Sequence, residues 1–325
     1  MDKIKIEIPS AQILTAADFD PASYVLTEQL KTTIEVAITL QQPLLLTGEP
    51  GTGKTKLAYR IAHDLHESDP TFRAKPWVFQ TKTSSTAKDL FYQYDALRHF
   101  HDANVAKAAA QSAPQIRNYI ELQALGAAIA QTHPAEASGY AQGPAQSSVV
   151  LIDEIDKAPR DFPNDLLSEV EHFAFHIHED HNLQIRKATD QRIIMILTSN
   201  SEKNLPAAFL RRCVFFHIPF PGETQLLEIA RSQLGEQSRY ADKQLINHFQ
   251  KLRTIARKKT AATAELISWL RILQLHQFLD KPLDFTQLSE QQQKILKLSY
   301  PILAKDREDL ERIEKHLMQL NQVEN

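Results

Sequence analysis

The stretch LLLTGEPGTGKTKLA, Leu44–Ala58, decides the fold. Three of the chain's eight glycines, Gly48, Gly51 and Gly53, fall within six residues of it. The apolar run Leu44, Leu45, Leu46 stands before them, and after them Lys54 opens a helical pattern with Leu57, Ala58 and Ile61. Glycine is used where the backbone needs φ > 0 or where something must approach closely. From Gly48 to Thr55 the spacing is G-x-x-x-x-G-K-[ST], in which loop N–H groups cradle a phosphate and the following helix adds its dipole. Gly48, Glu49, Pro50, Gly51, Thr52, Gly53, Lys54, Thr55 and Lys56 are therefore the candidate nucleotide-binding residues. Lys54 would reach the β- and γ-phosphates, and the Thr55 hydroxyl would ligate Mg2+.

Working outward, five apolar runs read as strands: Pro43–Thr47, Trp77–Thr81, Val149–Asp153, Ile193–Thr198 and Val214–Ile218. VVLI and IIMIL are apolar at every position, as in strands buried on both faces of a parallel sheet. Helical patterns between most of them supply the crossovers, which predicts an α/β sandwich of the P-loop type with a five-stranded parallel sheet. Past Pro219-Phe220-Pro221-Gly222 the texture changes to apolar residues at three- and four-residue spacing, with almost no strand signal. Residues 1–220 are thus expected to form the α/β nucleotide-binding domain and 221–325 an all-helical domain, with Pro219–Gly222 as the hinge. Some 65 residues separate the second and third strands, far more than one crossover needs, so an insertion is expected around 90–147. Within it Ala106–Ala110 and Ile120–Ala130 have helical character, and Ala135–Ser148 reads as a loop.

The third strand ends in a pair of acids, in SSVVLIDEIDKAP, Ser147–Pro159. That places Asp153 and Glu154 at the sheet edge where open α/β sheets bind ligands. Asp153 would hold Mg2+ and Glu154 would orient and deprotonate an attacking water, so the second acid favours hydrolysis over transfer to another acceptor. Asp156 and Lys157 read as caps of the turn and the next helix. Asn200, after ILTS on the fourth strand, could bond a γ-phosphate or the water, or simply cap the strand end. Arg211 and Arg212 close a short helix before the last strand, where they could also be solvated or cap helix carbonyls.

Bulk composition is that of a globular protein: 42% hydrophobic, 24% charged, net charge -3. Such a balance gives no global pull toward nucleic acid or anionic membrane. A single cysteine, Cys213, excludes an intramolecular disulfide and suits a reducing compartment. MDKIKIEIPS lacks the apolar core of a signal peptide, and no run approaches the roughly 18 apolar residues of a membrane span. A cytoplasmic protein with no membrane insertion is expected.

GEPGTGKT at Gly48–Thr55, VVLIDEID at Val149–Asp156, TSN at Thr198–Asn200 and LRRC at Leu210–Cys213, in this order, resemble the AAA+ ATPases. YQYDALRHFHD (Tyr92–Asp102) and IDKAPRDFPNDLLSEVE (Ile155–Glu171) are similar to the MoxR family, including its CoxD-like branch. The resemblance implies an AAA+ core with a helical lid, ATP and Mg2+ as cofactors, and a ring of subunits, usually six. It implies that Asn200 is the first sensor and that an arginine finger reaches into the neighbouring subunit, with Arg212 favoured and Arg211 the alternative. It also matches the long stretch between strands two and three to a helix-2 insert. The implied work is remodelling or activating a client protein, for instance metal-centre maturation, together with a separate protein bearing a von Willebrand factor A (VWA) domain. A departure is Ala264, where many relatives start the lid helix with an arginine. Arg271, about two turns on, either takes its place or is a surface residue. Two other readings share these motifs: a nucleic-acid motor or loader, and an ATP-dependent assembly switch in a conflict or stress system.

Two signals are discounted. EHFAFHIHEDH, Glu171–His181, holds four histidines without the apolar closure of a metal site; the resemblance makes it part of a hairpin before the first sensor. The basic run RTIARKKT, Arg253–Thr260, is short enough to be a solvated helix end, which leaves nucleic acid unlikely as a partner. Trp77 and Trp269 fit core positions.

Overall fold

The computed structural model describes residues 19–320 except 110–111, 136–138, 202–204, 281–282 and 286, with the backbone alone for 167–169 and 320. The chain divides into two compact units, Leu26–Pro219 and a second made of the C-terminal part from Phe220 with the N-terminal segment up to Val25.

The first unit is the five-stranded parallel sandwich that the apolar runs predict. Helix α1 (Glu28–Leu40) starts at Thr27, whose hydroxyl accepts the Leu30 N–H, and stops at Gln41 in a left-handed conformation. Strand β1 (Leu44–Gly48) then runs into the loop and helix α2 (Lys54–Ser68), and β2 is Trp77–Gln80. Later come β5 (Ser148–Asp153), β8 (Ile193–Ser199) and β9 (Val214–Ile218). The sheet order is β2-β5-β8-β1-β9, every neighbouring pair parallel. β1 lies between β8 and β9, with Leu44 opposite both Ile196 and Val214. The burial of each strand fits its place in this order. β1 and β5 are buried at every position and β8 at all but its first two, whereas VFFHI of β9 keeps Phe215 and His217 exposed at the edge. An edge strand is covered less, so it tolerates a polar residue that an interior strand would bury.

The long connection between β2 and β5 departs from the expected insertion. Strands β3 (Tyr92–Tyr94) and β4 (Ile120–Leu122) pair antiparallel and bracket helix α3 (Ala96–Ala108), which buries no residue. Ile120–Leu122 is therefore strand, where helical spacing suggested helix; three apolar-leaning residues cannot decide a period without their partner strand. Helix α4 (Ala124–Ala130) follows and is buried throughout, against β2 and β5. It belongs to the sandwich, so the outlying part is narrower than 90–147. Gly126 permits this packing: a Cβ there would fall 1.9 Å from the Phe91 carbonyl oxygen.

Helix α5 (Phe162–His172) leads into the hairpin β6 (Ala174–Ile177) and β7 (Leu183–Arg186) that the histidine-rich stretch was expected to form. Phe91 and Phe175 stack at 5.1 Å, tying this hairpin to the base of the α3 excursion. A four-residue helix, α6 (Ala207–Leu210), precedes β9.

The second unit is helical: α7 (Glu223–Leu234), α8 (Lys243–Ile255), α9 (Thr263–Leu275), α10 (Glu290–Ser299) and α11 (Arg307–Leu320). Phe249, Leu266, Trp269, Leu270 and Tyr300 form its centre. Trp269 is fully buried and donates from its indole N–H to Ser299 Oγ at 2.9 Å; Trp77, in contrast, is partly buried under the Arg73 guanidinium. Residues 19–25, assigned by composition to the first domain, group with this unit because Ser232 and Gln233 donate to the main-chain and side-chain oxygens of Ser23. The basic run is occupied locally. Asp309, fully buried, accepts the N–H groups of Arg257, Lys258 and Lys259, while Lys258 pairs with Asp306 and Glu308 and Arg253 lies over Phe220.

Candidate functional site

The candidate site forms where β1, β5 and β8 end. Gly48 closes β1 at φ +147, and a Cβ there would meet the Ile218 carbonyl oxygen of β9 at 2.5 Å. A side chain would push the loop off the sheet. Thr52 then turns inward, its hydroxyl donating to Glu49 O at 2.9 Å.

Lys54 enters α2 as a residue only 6% exposed. All three of its donor positions are used, on Gly48 O at 2.8 Å, Glu49 O at 2.9 Å and Asn200 Oδ1 at 2.9 Å. Burial lowers its pKa from the usual lysine value, against the pull of Asp153, Asp156, Glu154 and Glu49, which favour the charged form. The loop thus holds one cation among four carboxylates.

Thr55, the next residue, points its hydroxyl at Asp153, 3.0 and 3.1 Å from the two carboxylate oxygens. Asp153 also accepts from Gln80 Nε2 at 3.2 Å and from the Thr198 hydroxyl. A hydroxyl beside a carboxylate is the hard oxygen donor set that Mg2+ takes, with waters completing an octahedron, so Thr55 and Asp153 fit that ion.

Glu154 follows in a left-handed conformation, φ 57 and ψ 50. Its N–H donates to Thr198 Oγ1 at 2.8 Å, its Oε1 lies 3.4 Å from Asn200 Nδ2, and its Oε2 pairs with Lys157. Asp156 accepts the Asn200 N–H at 3.1 Å. Asp156 and Lys157, read from the sequence as caps, lie in the turn after β5; Asp156 also reaches Asn200 just past β8, and Lys157 pairs back with Glu154. Lys54, Thr55, Asp153, Glu154 and Asn200 are therefore one connected cluster. Thr198 stands among them, a residue singled out by no spacing rule because its partners lie on another strand.

The remaining candidates lie outside this cluster. Arg211 and Arg212 are exposed, and Arg212 Nη1 is 3.2 Å from Glu171 Oε1 at the end of α5. Burial pushes the neighbouring Cys213 thiol up to about 12, so it stays protonated and is no nucleophile near neutral pH. Arg271 sits in α9 of the helical unit, Nη2 3.4 Å from Gln233 O, and Ala264 is exposed in the first turn of the same helix. Rings of His176 and His178 stack at 6.4 Å, but among the described residues no group of three or more His, Cys, Asp or Glu could hold a metal ion. No described helix is long and apolar enough to cross a membrane.

No curated protein matches this chain. Among solved structures, a katanin chain studied for its self-assembly is similar over 91% of this chain and 90% of its own, at 12% identity and a TM-score of 0.41. A mutant RuvB from Thermogota maritima is similar over 85% and 70%, at 16% identity and a TM-score of 0.46. Likeness at those scores carries no argument about function. The family model described as the AAA domain of the dynein-related subfamily matches residues 43–213, more than half of the chain. With the loop, the acid pair and the five-stranded sheet already in hand, that match makes the chain a member of this AAA family of ATPases.

Proposed function

We propose that the chain is a MoxR-type AAA+ ATPase that works as a ring, usually six subunits in that family, and uses ATP hydrolysis to remodel or activate a client protein, with a VWA-domain protein acting in trans. The observation that carries the chemistry is the continuous path from Lys54 through Asn200 to Glu154, with contacts of 2.9 and 3.4 Å. In this reading the Gly48–Thr55 loop with Lys56 holds the phosphates, and Lys54 exchanges its loop carbonyls for the β- and γ-phosphate oxygens. Thr55 and Asp153 would hold Mg2+, which would supply charge neutralisation to the phosphates. Glu154 takes a proton from water as the water oxygen attacks the γ-phosphorus. The bond from that phosphorus to the bridging oxygen breaks, and its electron pair leaves with ADP. Asn200 orients the water or the γ-phosphate.

Arg212, or Arg211, completes the site of the neighbouring subunit, and Arg271 stands in for the missing lid arginine. Exposure of both finger candidates supports this role, since a residue acting in trans must be presented at the surface. The pairing of the 253–260 run with Asp306, Glu308 and Asp309 weighs against phosphate-backbone binding there, and so against a nucleic-acid motor. The test is ATP turnover against protein concentration, for wild type and for Arg212→Ala mixed with Glu154→Gln. Specific activity that rises with concentration, with the two variants partly restoring each other, supports shared sites. Flat specific activity without rescue overturns the ring.

A further inference from the structure

Thr198 is fully buried near the end of β8, and its hydroxyl makes two bonds of opposite sense. A hydroxyl has one hydrogen to give and lone pairs to accept with. The hydrogen goes to Asp153 Oδ1, and a lone pair takes the Glu154 N–H at 2.8 Å. One oxygen atom therefore ties together the carboxylate suited to Mg2+ and the backbone of the next residue. Glu154 needs that tie. A non-glycine residue at φ 57 is strained and persists only where its surroundings over-determine it. Without the left-handed turn, the strand would continue and carry the Glu154 side chain away from Asn200. Two further bonds brace the corner, Lys157 N to Glu154 O at 2.9 Å and Asn200 N to Asp156 Oδ1 at 3.1 Å, but neither touches Asp153.

We propose that Thr198 is a positioning residue for ATP hydrolysis. It sets the Asp153 carboxylate toward the metal and, through the Glu154 N–H, sets the direction of the base. The inference rests on the reading of Asp153 as the Mg2+ acid and Glu154 as the base. A threonine suits the position better than a serine for a steric reason: its branched Cβ restricts χ1 in a buried strand, so the hydroxyl is held in one direction. Valine has nearly the same shape but leaves the Glu154 N–H without a partner and removes one donor from Asp153.

The experiment compares wild type, Thr198→Val, Thr198→Ser and Glu154→Gln as the full chain. It measures kcat and KM for ATP, and ADP affinity by calorimetry with and without Mg2+. Hydrogen-bond partners of metal ligands are worth about 10–100-fold, so Thr198→Val is expected to lose roughly that factor in kcat and in the Mg2+-dependent gain in ADP affinity. Its Mg2+-free ADP affinity stays near wild type, and Thr198→Ser recovers most of both losses. Thr198→Ala replaces the valine variant if that one fails to fold. The proposal is overturned if valine keeps the wild-type kcat and Mg2+ response, if Mg2+-free affinity falls equally, or if serine is as impaired as valine. Full turnover by Glu154→Gln would refute the base assignment instead, and the Mg2+-linked binding of Thr198→Val then decides Thr198 by itself.

Discussion

The Nζ of Lys54 donates to Oδ1 of Asn200 at 2.9 Å across a separation of 146 residues in the chain. The parallel neighbours β1 and β8 make this contact possible, since each delivers its C-terminal end to the same edge of the sheet. It joins the residue that would meet the phosphates to the residue that would sense them.

Breaking that contact from either side should have different consequences. Lys54→Ala removes charge-assisted bonds worth about 1.5–3 kcal/mol, so ATP affinity should fall by roughly ten- to a hundredfold or more. Asn200→Ala leaves the ammonium in place, so ATP should still bind while kcat drops. Calorimetry beside steady-state turnover separates the two; equal losses of affinity in both variants would count against Asn200 as a sensor.

Arg212→Ala should lower kcat by about 10³-fold or more if it stabilises the transferring phosphoryl group in trans. Its pair with Glu171 is half exposed on both sides, so losing it should leave the unfolding midpoint almost unchanged. An equal drop from Glu171→Ala would assign the arginine to the local ion pair and shift the finger to Arg211.

His248 predicts acid sensitivity of the helical unit. Burial lowers its pKa to about 3, with His316 and Lys251 adding to the shift, and the ring stacks on Phe285 at 4.1 Å with Nε2 2.9 Å from Tyr300 OH. In the unfolded chain the ring takes a proton near pH 6.5, whereas the native ring does not until about 3. Its contribution to stability is therefore complete above pH 6.5 and is lost as the pH falls toward 3. Thermal midpoints measured from pH 7 to 4 should fall more steeply for wild type than for His248→Gln; parallel curves would mean that other groups govern the acid limb.

Asp180, at the turn of the β6–β7 hairpin, is buried and accepts from Arg117 Nε at 3.0 Å and Tyr140 OH at 2.8 Å. Asp180→Ala removes the acceptor of both bonds and should cost about 2 kcal/mol, read as a shift in the urea midpoint. Hydrogen exchange should quicken in β3 and β4, because Tyr92 OH also bonds to Glu179 in the same turn. Unchanged exchange there would show that the hairpin and the α3 excursion move independently.

Local sequence was sufficient wherever a signal lies within a few consecutive residues. The loop Gly48–Thr55, the acids at the end of VVLI and the five apolar runs were legible because spacing and continuous apolarity need no partner to be read. It failed for Ile120–Leu122, which becomes a strand only by pairing with Tyr92–Tyr94; Ala124–Ala130 is helical as its spacing suggests, and only its place in the core, where Gly126 lets it rest on Phe91, went unread. It failed also for residues 19–25, which are held by Ser232 and Gln233.

By itself, then, the chain's order of residues determined a glycine-rich loop between a strand and a helix, an acid pair at a strand end and an alternation of buried strands with helices, since each follows from near-neighbour chemistry. Only the tertiary structure decided that β8 lies between β5 and β1, and with it that Asn200 faces Lys54 and Thr198 joins Asp153 to Glu154. The physical reason is that strand order is a choice among long-range hydrogen-bonded pairings, which depend on how whole apolar faces pack and leave no mark on the spacing of any one segment.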